Sequence, residues 1–155
     1  MDKKKIVLLV LVFLTIAFIF GQSMAPVKQS AKESSFITEK IIQPIEEWLT
    51  GQKTITNSTV RNWAHSVEFA VLGFGLSLVV FWDKKGLKPI EALTLPARTF
   101  SYGVGIALLD ETIQLFNDRG PEVSDIWRDA LGVVIGILLG FLVLVSVRRN
   151  KKMCV

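Results

Sequence analysis

Residues 101–140, SYGVGIALLDETIQLFNDRGPEVSDIWRDALGVVIGILLG, form a hydrophobic run, a short polar turn and a second hydrophobic run. Acids flank the turn and reach into both apolar blocks: Asp110, Glu111, Asp125 and Asp129. A membrane helix needs about 20 predominantly apolar residues, and each block supplies close to that. A carboxylate inside a bilayer costs at least ~2.5 kcal/mol on insertion scales, so it needs partners, water or a use. What these four acids face therefore decides what the chain does.

The same pattern extends outward in both directions. The last apolar block runs from Asp125 or Ile126 to about Val147, where Arg148, Arg149, Lys151 and Lys152 stop it. The block before it begins at Thr94 to Ala97, with Pro96 in a first turn that tolerates the missing N–H, and ends near Phe116. Trp63 to Trp82 is bracketed by tryptophans, as membrane interfaces favour, and carries His65 and Glu68 in its first two turns. Ile6 to Ala25 follows Lys3, Lys4 and Lys5, and its GQSMAP ending resembles a signal-peptide cleavage site. Pro26 directly after Ala25 argues for a retained first span. The expectation is an all-α polytopic membrane protein in one domain, 1–155, with spans at about 6–25, 63–82, 95–116 and 126–147.

The polar segment 27–62 has too many charges to cross a membrane. Phe36, Ile37, Ile41, Ile45, Trp48 and Leu49 fall at steps of three and four, with Ser34 or Ser35 available as N-cap. This spacing predicts an amphipathic helix over about 35–49, lying at the outer interface and kinked or divided at Pro44. It is either a lid over a site or a surface helix covering loop ends.

Half the residues are apolar, and Lys+Arg number 18 against 14 Asp+Glu. The cations cluster at the ends of apolar blocks rather than along one helical face, which marks topology and not a nucleic-acid partner. Four spans put both termini on one side. That side holds eleven span-end cations (Lys3, Lys4, Lys5, Lys84, Lys85, Lys88, Arg98, Arg148, Arg149, Lys151, Lys152). The other holds seven (Lys28, Lys32, Lys40, Lys53, Arg61, Arg119, Arg128), so both termini are expected in the cytoplasm. Cys154 is the only cysteine, which excludes an internal disulfide and a cysteine-based metal site, and reads as a free thiol.

In this topology every embedded ionisable residue lies in the outer half. Arg61, His65, Glu68 and Leu72 share one helical face; Asp110 and Gln114 share another, with Glu111 beside them. Asp125, Asp129, Gly132, Gly136 and Gly140 form a single stripe, and small-xxx-small spacing lets helices approach closely in lipid. Glu68, Asp125 and Asp129 lie near helix N-termini, which favour a carboxylate. Asp110 and Glu111 lie near a C-terminus, and need Arg61, Arg119, Arg128, a cation or a proton. The alternative for His65 and the arginines is a plain structural one, as polar core group and as partners of the acids. No GxxxxGK[ST], HExxH, GxSxG or Rossmann glycine motif is present, so nucleotide use and the familiar hydrolase chemistries lack support.

Three motifs in order, RNWAHSVEFAVLG from Arg61 to Gly73, DETIQLF from Asp110, and RGPEVSDIWRDALG from Arg119 to Gly132, resemble the VanZ-like family of small bacterial membrane proteins. The family pattern is close to R-K-x-x-H-x-x-E-Y, then D-E-x-x-Q-x-F, then G-R with D-x-x-x-D-x-x-G. Asn62 stands where a basic residue is usual and Phe69 where tyrosine is common. The turn between Phe116 and Arg119 is one residue shorter, with Asn117-Asp118 in place of a Pro-Gly type turn. The resemblance implies a link to resistance against the glycopeptide teicoplanin and supplies no mechanism.

Two functions fit these residues. In the first, an outer polar pocket of Arg61, His65, Glu68, Asp110, Glu111, Gln114, Arg119, Asp125 and Asp129 binds an envelope amphiphile, a lipoglycopeptide or a lipid-linked wall precursor. Its arginines, with Arg128, then contact anionic groups. In the second, the protein is an intramembrane hydrolase or transferase acting on a phosphorylated lipid headgroup. There one of Asp110, Glu111, Asp125 and Asp129 is the general base and His65 an acid or base. His65, Glu68 and the aspartates would suit a divalent cation such as Mg or Mn better than Zn. Membrane lipid and a second copy of the chain are the remaining candidate partners.

Overall fold

The computed structural model describes residues 2–25, 34–83, 88–116 and 123–153, which are helical apart from residues 51–56 and a few at helix ends, with no strand among them. Arg119, Cys154, Pro26, the Asn117-Asp118 and Gly120-Pro121 turn, and Lys28, Lys32, Lys84 and Lys85 lie outside the described residues. The helices are α1 (Lys3–Met24), α2 (34–50), α3 (Asn57–Phe81), α4 (Pro89–Leu115) and α5 (Val123–Met153). Four are long and apolar enough to cross a membrane: Lys3–Met24, Asn57–Phe81, Ile90–Leu115 and Val123–Val147. The chain is a polytopic, all-α membrane protein.

Helix starts follow their caps rather than the edges of the apolar blocks. α3 begins six residues ahead of Trp63 because Thr56, in extended conformation, accepts the Thr59 N–H at 3.3 Å through its side chain. α4 begins at Pro89, not near Thr94: Pro89 occupies the first turn, and Glu91 at the third helical position accepts the Lys88 N–H at 3.2 Å. Pro96 consequently lies inside α4, where its ring removes the N–H that would have bonded the Ala92 carbonyl. At the other end of the chain the basic residues after Val147 end the apolar span but not the helix, which continues to Met153.

The bundle is organised around α3 and α5. Hydrophobic burial cannot draw helices together in lipid, so contact depends on close packing of small residues. Gly132 lies under the Ser66 carbonyl, Gly136 against the Ala70 carbonyl and Phe74 N–H, and Gly73 against the Val133 backbone; a Cβ at any of them would strike main chain. Gly103 of α4 receives the Val133 side chain from a third direction. Val12 and Ile19 of α1, Phe69 and Leu72 of α3, Ala107 of α4, and Val133 and Ile137 of α5 complete one core. Lys5 pairs with Asp83, which ties the start of α1 to the end of α3 and makes the two antiparallel. The end of α1 therefore meets the start of α3, the end of α4 and the start of α5.

α2 covers that end. Its residues 34–37 are α-helical, Thr38–Ile42 form a π turn, and Gln43–Thr50 are α-helical again. Pro44 does not divide it: the Gln43 N–H reaches back five residues to the Thr38 carbonyl, and the widened turn absorbs the donor that proline lacks. Phe36, Ile37, Ile41, Ile45, Trp48 and Leu49 are all exposed, as the amphipathic spacing requires of a helix whose apolar residues are not packed into the bundle. Gly51, at φ 72°, ends α2 in the left-handed conformation. The chain then folds back under it, because the Glu46 carboxylate accepts the Thr54 N–H at 2.9 Å, the Ile55 N–H at 3.0 Å and the Thr54 hydroxyl.

Candidate functional site

Asp110 is fully buried near the end of α4, where the helix dipole opposes a carboxylate. Three polar partners from three helices offset this. Ser23 Oγ of α1 donates at 2.6 Å, Gln114 Nε2 of α4 donates at 2.9 Å, and His65 Nε2 of α3 stands at 2.8 Å. Of the partners open to Asp110 (an arginine, another cation or a proton), the described residues supply the imidazole of His65 and no arginine. Gln114 lies one turn beyond Asp110, so helical spacing alone brings it to the same carboxylate.

His65 is held on both sides. Its Nδ1 is 3.1 Å from Glu68 Oε2, while the edge of Phe69 packs against the ring with centroids 5.4 Å apart. An ionised carboxylate only accepts, so the two contacts require either a doubly protonated imidazolium or a neutral ring and one carboxylic acid. α3 begins at Asn57, which puts Glu68 three turns inside the helix. The dipole has faded there, and His65 is the partner that orients Glu68.

A second group forms at the start of α5. Asp125 pairs with Arg128 three residues on, and Arg128 also donates to Ser124 Oγ at 3.0 Å. The Asn62 amide oxygen accepts from Arg128, and its NH2 donates to the Ser58 carbonyl at 3.3 Å. Asn62 thus links α3 to α5 at a position where a lysine would face a guanidinium.

Asp129 differs from the other acids. It is 3% exposed, accepts no hydrogen bond from a described residue, and lines a cavity of about 200 Å³. His65, Asp110, Asp125 and Glu111 all lie within electrostatic reach of it. The cavity is walled by Gln22 of α1, Ser34 and Ile37 of α2, Arg61, Asn62, His65 and Glu68 of α3, Gln114 of α4, and Asp125 and Arg128 of α5. Arg61 is exposed at this cavity and pairs with no carboxylate among the described residues. Asp110 and Glu111 do not line it; Asp110 stands behind His65, and Glu111 is buried at 7% exposure.

Of the residues expected at the site, Arg61, His65, Glu68, Gln114, Asp125 and Asp129 line one cavity, with Asp110 bonded to its wall. Arg119 lies outside the described residues. Ser23, Gln22, Ser34 and Asn62 belong to the same assembly and lie outside the set expected from the sequence, in which Ser34 stands only as a candidate N-cap and Asn62 only as a departure from the family pattern. For Ser23 the available signal was a polar pair, Gln22-Ser23, closing an otherwise apolar run. Among the described residues no three His, Cys, Asp or Glu side chains are arranged to hold a metal ion. The site offers a guanidinium and a buried carboxylate that have no ion-pair or hydrogen-bond partner among the described residues, and an imidazole able to carry a proton at either nitrogen.

No curated protein and no solved structure matches the chain. The model of the VanZ/LLP1 family matches residues 6–144, which reaches into all four spans and takes in every residue lining the cavity. Arg61, His65, Glu68, Asp110, Gln114, Asp125 and Asp129, which the bundle gathers, are residues of the motif order read from the sequence, and the chain belongs to the VanZ/LLP1 family.

Proposed function

We propose that this membrane protein binds the headgroup of an envelope amphiphile in the polar cavity, on the extracytoplasmic side, and thereby contributes to resistance against teicoplanin-type glycopeptides and lipoglycopeptides. The observation that carries the reading is Asp129, a carboxylate 3% exposed that faces the cavity with no donor among the described residues. An ionisable group in a membrane helix without a partner is costly, and a ligand cation supplies the missing partner. Arg61 stands at the same cavity with its guanidinium unpaired by any described acid, so the site carries both signs. An amphiphile with an ammonium and an anionic group fits it, and lipoglycopeptides and lipid-linked wall precursors both belong to that class. The cation bias of the span ends supports an extracytoplasmic cavity and cytoplasmic termini.

One observation favours an intramembrane enzyme as the second reading. His65 is clamped between Glu68 and Asp110 at the wall of the cavity, the arrangement in which a third group orients a general base. The two readings separate in one experiment: protein reconstituted in lipid nanodiscs is incubated with teicoplanin and with an isoprenoid-diphosphate-linked precursor, and binding and product are followed by mass spectrometry. Saturable binding without turnover is expected, weakened roughly 30-fold or more in Asp129→Asn, since removing one side of a buried charge pair costs about 2 kcal/mol upward. Turnover abolished in His65→Ala would establish the enzyme. Absence of both binding and turnover would overturn the site altogether.

A further inference from the structure

A second cavity lies along the lipid-facing side of the bundle, between α1 and α3. It measures about 510 Å³ and is apolar along its length, with Leu11, Thr15 and Phe18 on one wall and Val71, Phe74 and Leu78 on the other. The Thr15 hydroxyl is turned onto the Leu11 carbonyl of its own helix at 2.9 Å and leaves no free polar group in the groove. Among the described residues Glu68 is the one charged residue lining it, and Glu68 also lines the polar cavity. The two cavities therefore lie on either side of Glu68, whose carboxylate is turned toward His65.

Dimensions and chemistry both change across that residue. From Leu8 to Phe18 the α1 wall extends roughly 15 Å at ~1.5 Å per residue, about half the ~30 Å hydrocarbon thickness of a bilayer. Above Glu68 are Arg61 and Asp129, of opposite sign; below it is a channel of one leaflet's depth with no polar group to satisfy. From this shared wall residue, and from the length and apolar lining of the groove, we infer that the α1–α3 groove seats one hydrocarbon tail of the amphiphile whose headgroup occupies the polar cavity, an inference that rests on the headgroup reading above.

The groove determines where the tail lies more than how tightly the amphiphile binds. Bilayer lipid is as apolar as the groove walls, so transferring a tail between them gains little. An anchored headgroup instead raises the effective concentration of its own tail at the groove. The informative readout is consequently position. In a bilayer any lipid tail touches the bundle; only the tail of a seated amphiphile is concentrated between α1 and α3.

The test uses the full chain in phosphatidylcholine nanodiscs and three probes. One is a long single-chain phosphoethanolamine carrying a diazirine midway along its tail, one is the alcohol with the same tail and no headgroup, and one is a short-chain phosphoethanolamine for headgroup binding alone. Photolabelling by the first is expected on Leu11, Thr15, Val71 and Phe74, with roughly ten-fold enrichment over the lipid-facing Leu138 and Leu142 of α5. The alcohol should show no such enrichment, and Val71→Phe, which fills the groove, should remove it. Even labelling of all lipid-facing helices, or equal labelling by the alcohol, with the short-chain probe still bound, would overturn the groove and leave the headgroup reading standing. Cross-links from the groove to a second copy of the chain would overturn it too, since another protomer would then cover the face. Failure of the short-chain probe to bind would remove the headgroup reading, and the groove with it.

Discussion

Asp110 and Asp129 are almost equally buried carboxylates in adjacent membrane helices, and their surroundings are opposite. Asp110 accepts from Ser23 and Gln114 and pairs with His65, so it holds α1, α3 and α4 together. Asp129 has no such donors among the described residues and faces the cavity. Asp110→Ala, which strands a buried imidazole and an amide, should destabilise the protein by about 3–5 kcal/mol in thermal unfolding in detergent. Asp129→Asn should instead leave stability unchanged or raise it by up to ~2 kcal/mol while ligand binding falls, as expected where a group is kept for use at a cost in stability. Equal destabilisation by both substitutions would remove the distinction between them. The sequence made most of this legible: the i, i+4 step from Asp110 to Gln114 and the Arg61, His65, Glu68 face are periodicity alone. Ser23 and the His65–Asp110 pairing were not, because they depend on which helices become neighbours, and charge counting favours arginine over a lone imidazole.

The α3–α5 contact makes a sharper demand on its residues than hydropathy does. Gly136 leaves no room for a Cβ against the Ala70 carbonyl, whereas Gly21 of α1 has nothing within 4 Å of where a Cβ would stand. Gly136→Ala should therefore cost about 1–3 kcal/mol through overpacking. Gly21→Ala should stabilise by up to ~1 kcal/mol through helix propensity. Both are read from thermal unfolding in detergent, and a reversed order would contradict the packing described. The glycine stripe was visible in the sequence because a four-residue step is a local pattern. The π turn before Pro44 was not, since a proline signals that a hydrogen bond is lost and not how the chain recovers it.

Glu46 gives α2 a pH dependence. The Thr54 hydroxyl bond, with further help from the Ile55 and Thr54 N–H groups, holds its carboxyl below the ordinary value of 4.5 despite the opposing effect of burial. A depressed folded value means that the clamp is fully present above 4.5 and is lost as pH falls through the lower, folded value. Amide exchange at Thr54 and Ile55, corrected for the intrinsic pH dependence of exchange, should accelerate only below that point, and Glu46→Gln should show fast exchange at every pH.

At the level of the complete bundle, four apolar blocks, their order and the motifs that mark the family could be read directly from the chain, because each is a property of a contiguous stretch. The meeting of those stretches is a property of the fold. Ser23, His65, Asp110 and Asp129 belong to four different helices, and antiparallel packing brings them to one end of the bundle under α2. The function proposed depends on that end being open to water on the outer face of the membrane. The direct measurement places a cysteine at position 129 in a Cys154→Ser background and treats intact cells, and then inverted vesicles, with a small membrane-impermeant thiol reagent. Labelling in intact cells and protection in inverted vesicles is the predicted result. Labelling only in inverted vesicles, or none from either side as for a residue facing lipid tails, would contradict it.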